Sequence, residues 1–236
     1  MDPGAKNKLF KMKFFISIFI LSLVLFAGCE KDQYAYKKFI GGSEIAYAGL
    51  AEEIATRSGN LRVQVEWKKS IDPAVVSYTL YWNNNLDSAI TPATAIDPDG
   101  IYRYIISGLP EYVQSFRIVA ANDRGGRSIG QSINSVRVFG PYYRSSLINQ
   151  RLRSRKFFGT DSVRLYFLQT DTTKLFSTIR YTRLDGNPDS IRFQHDSVTV
   201  SSYLPGSKPA VQSYYLPTAT AIDTFKTIAA DSLEAF

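Results

Sequence analysis

Apolar and polar residues alternate along most of the chain. Leu61, Val63, Val65 and Trp67 are interleaved with Arg62, Gln64 and Glu66. A period of two with one apolar face predicts a half-buried strand. Ile71-Asp72-Pro73 interrupts it, and Val76, Tyr78, Leu80 and Trp82 then alternate with Ser77, Thr79 and Tyr81. Asn83-Asn84-Asn85 tolerates left-handed backbone and reads as a turn, as do Asp97-Pro98-Asp99-Gly100 and Gly108-Leu109-Pro110. Phe116, Ile118 and Ala120 mark another strand, Asn122 to Gly126 a hairpin turn, and Ser135 to Phe139 a closing strand. The second half repeats the pattern less cleanly, at Val163, Leu165 and Phe167, at Ile179 and Tyr181, and at Val198 and Val200. Ala221 to Phe225 is expected to be its last strand. Short strands with a turn signal between each predict an all-β fold of two tandem antiparallel β-sandwiches.

Phe14 to Phe26 breaks the alternation with an apolar run interrupted only by Ser17 and Ser22. It is shorter than the roughly 20 residues a membrane-spanning helix needs, and Lys6, Lys8, Lys11 and Lys13 precede it. This is the layout of a secretory signal. Leu25-Phe26-Ala27-Gly28-Cys29 resembles the bacterial lipobox, with Phe26 where leucine is usual. The resemblance implies cleavage before Cys29 and a lipid on its thiol. Cys29 is the only cysteine, so no disulfide competes for it. An ordinary cleaved signal, or an anchor helix with an incidental cysteine, is the alternative. Translation starting at Met12 instead of Met1 leaves the same mature chain. The charged stretch Glu30-Lys31-Asp32 is similar to the surface-export signals of Bacteroidetes-type lipoproteins.

The expected organisation is a signal segment at 1–28, a tether and leader at 29–59, a first sandwich at 60–140, a connector at 141–160 and a second sandwich at 161–236. Residues 46–56 read as a strand or a turn of helix, and 145–156 as a possible helix. Charge changes little in this picture. The formal +7 includes the signal segment, and without residues 1–28 it falls to about +4. No nucleic-acid partner is expected, because the excess is small and not gathered on one face.

Val65-Glu66-Trp67, Tyr78 to Trp82, Gly108-Leu109-Pro110 and Phe116 to Asn122 together resemble a fibronectin type III domain over about residues 60–139. That family usually has a corner tyrosine where this chain has Phe116, so the corner must be held without the hydroxyl. Tyr36 to Phe39, Gly41-Gly42, Tyr81 to Asn84, Val138 to Tyr142 and Ile222 to Phe225 are similar to a family of Bacteroidetes-type lipoproteins known only as a domain of unknown function. Such proteins often accompany glycan-capture systems at the cell surface.

Catalytic constellations are scarce. The only histidine is His195, which would have to serve any Ser-His-Asp triad; it reads as a strand surface residue. Asp97 and Asp99 offer oxygen ligands for calcium, but the turn accounts for them. No metal and no cofactor is expected. Trp82 with Asn83 and Asn84 is the leading ligand candidate, since an indole face stacks on a sugar ring and amides bond hydroxyls in both directions. Strand parity instead turns Trp82 to the core. Tyr142 and Tyr143 are a second candidate pair, with interface packing as the alternative. Arg151 to Lys156 is the one basic run, read as a solvated connector or a face of a short helix.

These readings lead to a non-catalytic cell-envelope lipoprotein, membrane-bound through Cys29, in the outer membrane and displayed at the cell surface. Its expected role is to bind an extracellular glycan or support a glycan-capture complex. A structural adhesin or spacer that binds other surface proteins is the alternative, and a hydrolase the remote one.

Overall fold

The computed structural model describes residues 46–236 apart from Thr170. The signal segment and Cys29 lie outside the described residues. Among the described residues no helix is long and apolar enough to cross a membrane.

Seven strands come first: β1 (Glu52–Ser58), β2 (Arg62–Lys68), β3 (Val75–Trp82), β4 (Asp87–Pro92), β5 (Ile101–Ser107), β6 (Val113–Asn122) and β7 (Gln131–Arg137). A short helix, α1 (Pro141–Ser146), separates them from β8 (Leu152–Phe158), β9 (Ser162–Phe167), β10 (Lys174–Thr182), β11 (Pro188–Phe193), β12 (Ser197–Ser201), β13 (Ala210–Tyr215), β14 (Phe225–Lys226) and β15 (Asp231–Ser232). The first group forms sheets β1-β2-β5 and β4-β3-β6-β7, and the second forms β8-β9-β12 and β11-β10-β13-β14, with β15 also on β13. Adding seven to each strand number of the first sandwich yields the second, with β14 and β15 sharing the place of β7. Both sandwiches are antiparallel, as the alternation predicts.

Each sandwich has its own apolar core. Val63, Val65, Trp67, Tyr78, Leu80, Ile106, Phe116 and Ile118 belong to the first, and Val163, Leu165, Ile179, Val200 and Val211 to the second. Val76, expected to face inward, is exposed, and Val75 is buried in its place. A bulge between Val75 and Ser77 shifts the parity there, since one extra residue turns every earlier side chain to the opposite face. Phe116 is buried, and backbone bonds Leu109 N to Leu61 O (3.0 Å) and Val138 N to Tyr112 O (3.0 Å) tie the strand ends at its corner.

Two expected boundaries move. The first sandwich begins before residue 60, because β1 lies in the expected leader and its outward and inward residues pair along β2. The connector ends at Arg151, because Leu152–Phe158 is strand β8, paired with β9 through a bulge that hides its alternation. The helix in this region is α1, upstream of the basic run.

The sandwiches meet through specific contacts. Asp223 accepts from Arg62 Nε (2.8 Å), Arg62 Nη2 (2.5 Å) and the Asn60 amide (2.8 Å), and Ile222 N donates to Ser58 O (2.9 Å). Arg62 holds the Asp223 carboxyl below the usual carboxylate range against the opposing effect of burial. A Cβ on Gly59 would stand 2.4 Å from that carboxylate, so only glycine admits the approach. Phe139, Tyr143 and Phe225 pack edge to face with centroids 4.9, 5.1 and 6.2 Å apart. Glu111, in the loop between β5 and β6, caps α1 by accepting from the Tyr142 and Tyr143 amides, each at 2.6 Å. Ile222 and Asp223, expected in the last strand, are therefore junction residues; β14 starts only at Phe225, and the last strand is β15.

Candidate functional site

Polar residues occupy part of the second sandwich's interior. Ser177 and Ser213 are fully buried, and Asn149, Gln150 and Thr227 are nearly so. The Ser177 and Ser213 hydroxyls are 2.9 Å apart, and the Ser213 hydroxyl accepts from Gln150 N at 2.9 Å. Asn149 Oδ1 accepts from Ser213 N (2.9 Å) and from the Thr227 hydroxyl (2.7 Å), while its Nδ2 donates to Ala229 O (2.9 Å). The Asn149 amide thus stands in for a strand partner of β13 between β14 and β15, which is why that edge strand is split. Tyr215 donates its hydroxyl to Ile148 O. These bonds fix residues 148–150 across the junction end of the second sandwich.

Adjoining clefts of about 470, 460 and 530 Å³ flank this segment. The first is walled by the Tyr143 and Tyr215 rings and Leu168, with Asn149, Asp171 and Arg151 at its polar edge. The second shares Gln169 and Asp171 with it and continues to Lys174, Gln194 and His195. The third lies on the other side of the segment and shares Ile148 and Asn149 with the first. Burial lifts the Tyr143 phenol above its ordinary pKa, partly offset by the nearby Thr173 hydroxyl. Lys174 Nζ donates to Gln150 Oε1 and to Gln194 O, both at 3.0 Å, and burial lowers its pKa from the usual lysine value. Among the described residues no carboxylate pairs with it. The groove therefore offers the partly exposed Tyr143 ring, several amides, an ammonium and carboxylates within one concave surface, with Tyr215 buried beneath it.

The residues singled out from sequence divide between roles. Tyr143 belongs both to the junction and to the groove, whereas Tyr142 is 80% exposed. Trp82 is half-buried and packs against the first core. Asn83, Asn84 and Asn85 hold φ of 49, 54 and 64° in the turn that follows, and Asn83 Nδ2 donates to Asp87 at 3.0 Å. The structure does not bring Trp82, Asn83 and Asn84 together with Tyr142 and Tyr143 in one cleft. Asp97 and Asp99 both bind the Arg103 guanidinium, at 2.8 and 2.5 Å, so a cation would have to displace it. His195 lies in the turn between β11 and β12, not on a strand, and its ring makes no hydrogen bond to another described residue. No cluster of metal-ligating side chains occurs among the described residues. The sequence pattern alone does not single out the groove residues Gln150 and Lys174 or the buried serines Ser177 and Ser213. Ser177 and Ser213 sit at inward positions of strands whose other inward residues are apolar, and that mismatch is the signal that marks them.

Among solved structures, the chain is similar to the chicken CNTN1 FN1-FN3 domains, at 13% identity and a TM-score of 0.40 over 81% of this chain and 69% of that one. It is also similar to a two-domain fibronectin type III segment of chicken tenascin, at 12% identity and 0.30, over 78% of this chain and 98% of that one. At these values the fold assignment rests on the chain's own strand order. No curated protein matches. Residues 29–225 match the profile of a family described as a domain of unknown function. That match takes in both sandwiches and the junction up to Phe225, and on it the chain belongs to the DUF4998 family.

Proposed function

We propose that this protein is a non-catalytic binding module of the cell envelope, and that the groove beside residues 148–151 takes an extracellular glycan. The observation that carries the reading is the partly exposed Tyr143 ring beside Asn149, Gln169 and Asp171 in one cleft, with the buried Tyr215 behind it. Ring faces stack on sugar C–H surfaces, and amides and carboxylates bond hydroxyls. The groove is rigid, because its floor is hydrogen-bonded into the sandwich and Tyr143 is wedged into the junction. A preformed site loses less conformational freedom on binding.

A glycan array probed with residues 30–236 tests the reading. Binding to a defined set of sugars, weakened roughly tenfold or more by Asp171→Ala or Gln169→Ala, is the expected result. Binding unaffected by either variant would remove the groove from the account. The packed junction also suits a spacer that presents surfaces to other envelope proteins, and a chain that binds no glycan but is retained by neighbouring surface proteins favours that reading.

The proposed location is the outer membrane, through a lipid on Cys29. Its support is the lipobox resemblance and the lone cysteine. Each buried acyl CH₂ contributes about 0.8 kcal/mol, so two or three chains hold a protein effectively permanently. Cys29→Ser should abolish palmitate incorporation in growing cells; continued labelling of the variant would refute the anchor.

A further inference from the structure

We propose that the outward face of the β8-β9-β12 sheet binds an acidic polysaccharide, a sugar chain bearing carboxylate or sulfate groups. The registers place Lys156 opposite Arg164, and Arg164 opposite Thr199. Val163, Leu165 and Val200 point to the core, so these three residues form a row on the other face. Phe158 and Tyr166 lie two positions along on either side, about 7 Å from the row. Ser162 and Ser201 share the face with Phe158, their hydroxyls 3.2 Å apart.

Like charges directly opposite across an antiparallel pair are destabilising. Here Lys156 and Arg164 face each other, both exposed. The three strands carry Arg153, Arg155, Lys156 and Arg164 and no acidic residue. Arg155 points the other way and pairs with Glu234 at 2.6 Å. Among the described residues neither Lys156 nor Arg164 has a carboxylate partner. The equivalent sheet of the first sandwich is built differently. There Glu66 takes both Arg57 (3.0 Å) and Arg103 (3.3 Å), and Asp97 and Asp99 take Arg103 as well. Two sheets of the same topology therefore differ in that one neutralises its cations and the other leaves them to an outside partner.

The surroundings of the cations select the partner. Lys156 Nζ lies 5.3 Å from the Phe158 ring centre, and Arg164 Nε donates to the Thr199 hydroxyl at 3.1 Å, leaving the far edge of the guanidinium free. A guanidinium and an ammonium side by side bind carboxylate or sulfate through charge-assisted bonds. Flat aromatic rings and serine hydroxyls around them match the alternating C–H and O–H surfaces of a sugar chain. This face is separate from the groove. It rests on the glycan reading for its ligand class alone.

The test uses the full chain against immobilised polygalacturonate and dextran sulfate, with unmodified dextran and a neutral glycan panel as controls and phosphatidylglycerol vesicles as a competing anion. Binding to both acidic polymers is expected, falling as salt rises from about 20 to about 500 mM. The double variant Lys156→Ser, Arg164→Ser should weaken it roughly tenfold or more, while Arg164→Lys alone keeps most of it. Neutral-glycan binding should not change. The double variant should melt no lower than the native chain, because it relieves a like-charge contact. Acidic polymers bound equally well by the double variant would overturn the proposal. Neutral glycans bound with no acidic preference would overturn it and leave the groove reading standing. No glycan bound at all would overturn both. Vesicles bound more tightly than the polymers, and lost in the double variant, would assign the face to lipid headgroups instead.

Discussion

Trp67→Ala should destabilise the first sandwich by about 3–5 kcal/mol, the range for deleting a large buried aromatic. Trp67 is 0% exposed. Its ring stacks on Tyr102 at 5.4 Å and meets Tyr78 edge-on at 5.7 Å, and those two tyrosines are 5.0 Å apart. The three rings come from β2, β5 and β3, so they join both sheets. The two tyrosines extend the effect to the loops, since Tyr78 accepts from Ser70 N and Tyr102 donates to Ala93 O, both at 2.8 Å. A cavity under them loosens those anchors too. Trp67→Phe should lose less, because it keeps a ring in place and removes an indole N–H that has no acceptor among the described residues. Urea denaturation followed by circular dichroism measures both. A loss below about 1 kcal/mol for Trp67→Ala would mean the ring cluster does not organise the core.

Asn149→Leu should cost about 1–3 kcal/mol in the second sandwich. The substitution keeps the branched shape of the side chain but strands the Ser213 amide, while the Thr227 hydroxyl and the Ala229 carbonyl, 3.0 Å apart, retain only each other. Each buried polar group left without a partner costs roughly 1–3 kcal/mol, with some relief where water reaches the edge. The loss should be local. The Ser213 amide should exchange with deuterium far faster in the variant, while Val163 and Leu165, on the opposite sheet, keep most of their protection. Unchanged Ser213 exchange would show that the Asn149 side chain is not the strand substitute its geometry describes. Asn149→Asp is a useful companion: it keeps both acceptor bonds but replaces the donor to Ala229 O with a buried carboxylate oxygen, so it should be destabilised by the burial of that charge as well.

Local pattern was enough where a strand has one wet face and one dry face. The alternation around Trp67 located β2 and its inward residues, and the turn chemistry of Asn83 to Asn85 and of Asn122 to Gly126 located the reversals that make the sheets antiparallel. It failed where a bulge shifts the period. Val75 and Val76 exchange roles for that reason, and β8 reads as a connector because its bulge falls among the basic residues Arg151, Arg153, Arg155 and Lys156. It failed too where a polar side chain does backbone work. Nothing local in Asn149 announces that its amide will complete the edge of β13, because its partners Ser213 and Thr227 lie 64 and 78 positions away.

The groove was legible only in fragments. Tyr143 reads from the sequence as a junction or ligand residue; it packs in the junction and lines the groove, but the groove's other residues Tyr215, Asp171 and Lys174 come from the loop after β9 and the ends of β10 and β13. What the sequence by itself determined is the all-β class, the doubling of the sandwich and the inward residues of the regular strands, since these follow from side-chain period and turn propensity within a few residues. The tertiary structure alone decided the remainder. The docking of Asp223 onto Arg62 and Gly59, the split last strand, the buried polar seam and the apposed cations of Lys156 and Arg164 all depend on register between strands far apart in the chain. Register is a property of the pair of strands and of the core they must fill jointly, and a single strand's pattern does not contain it.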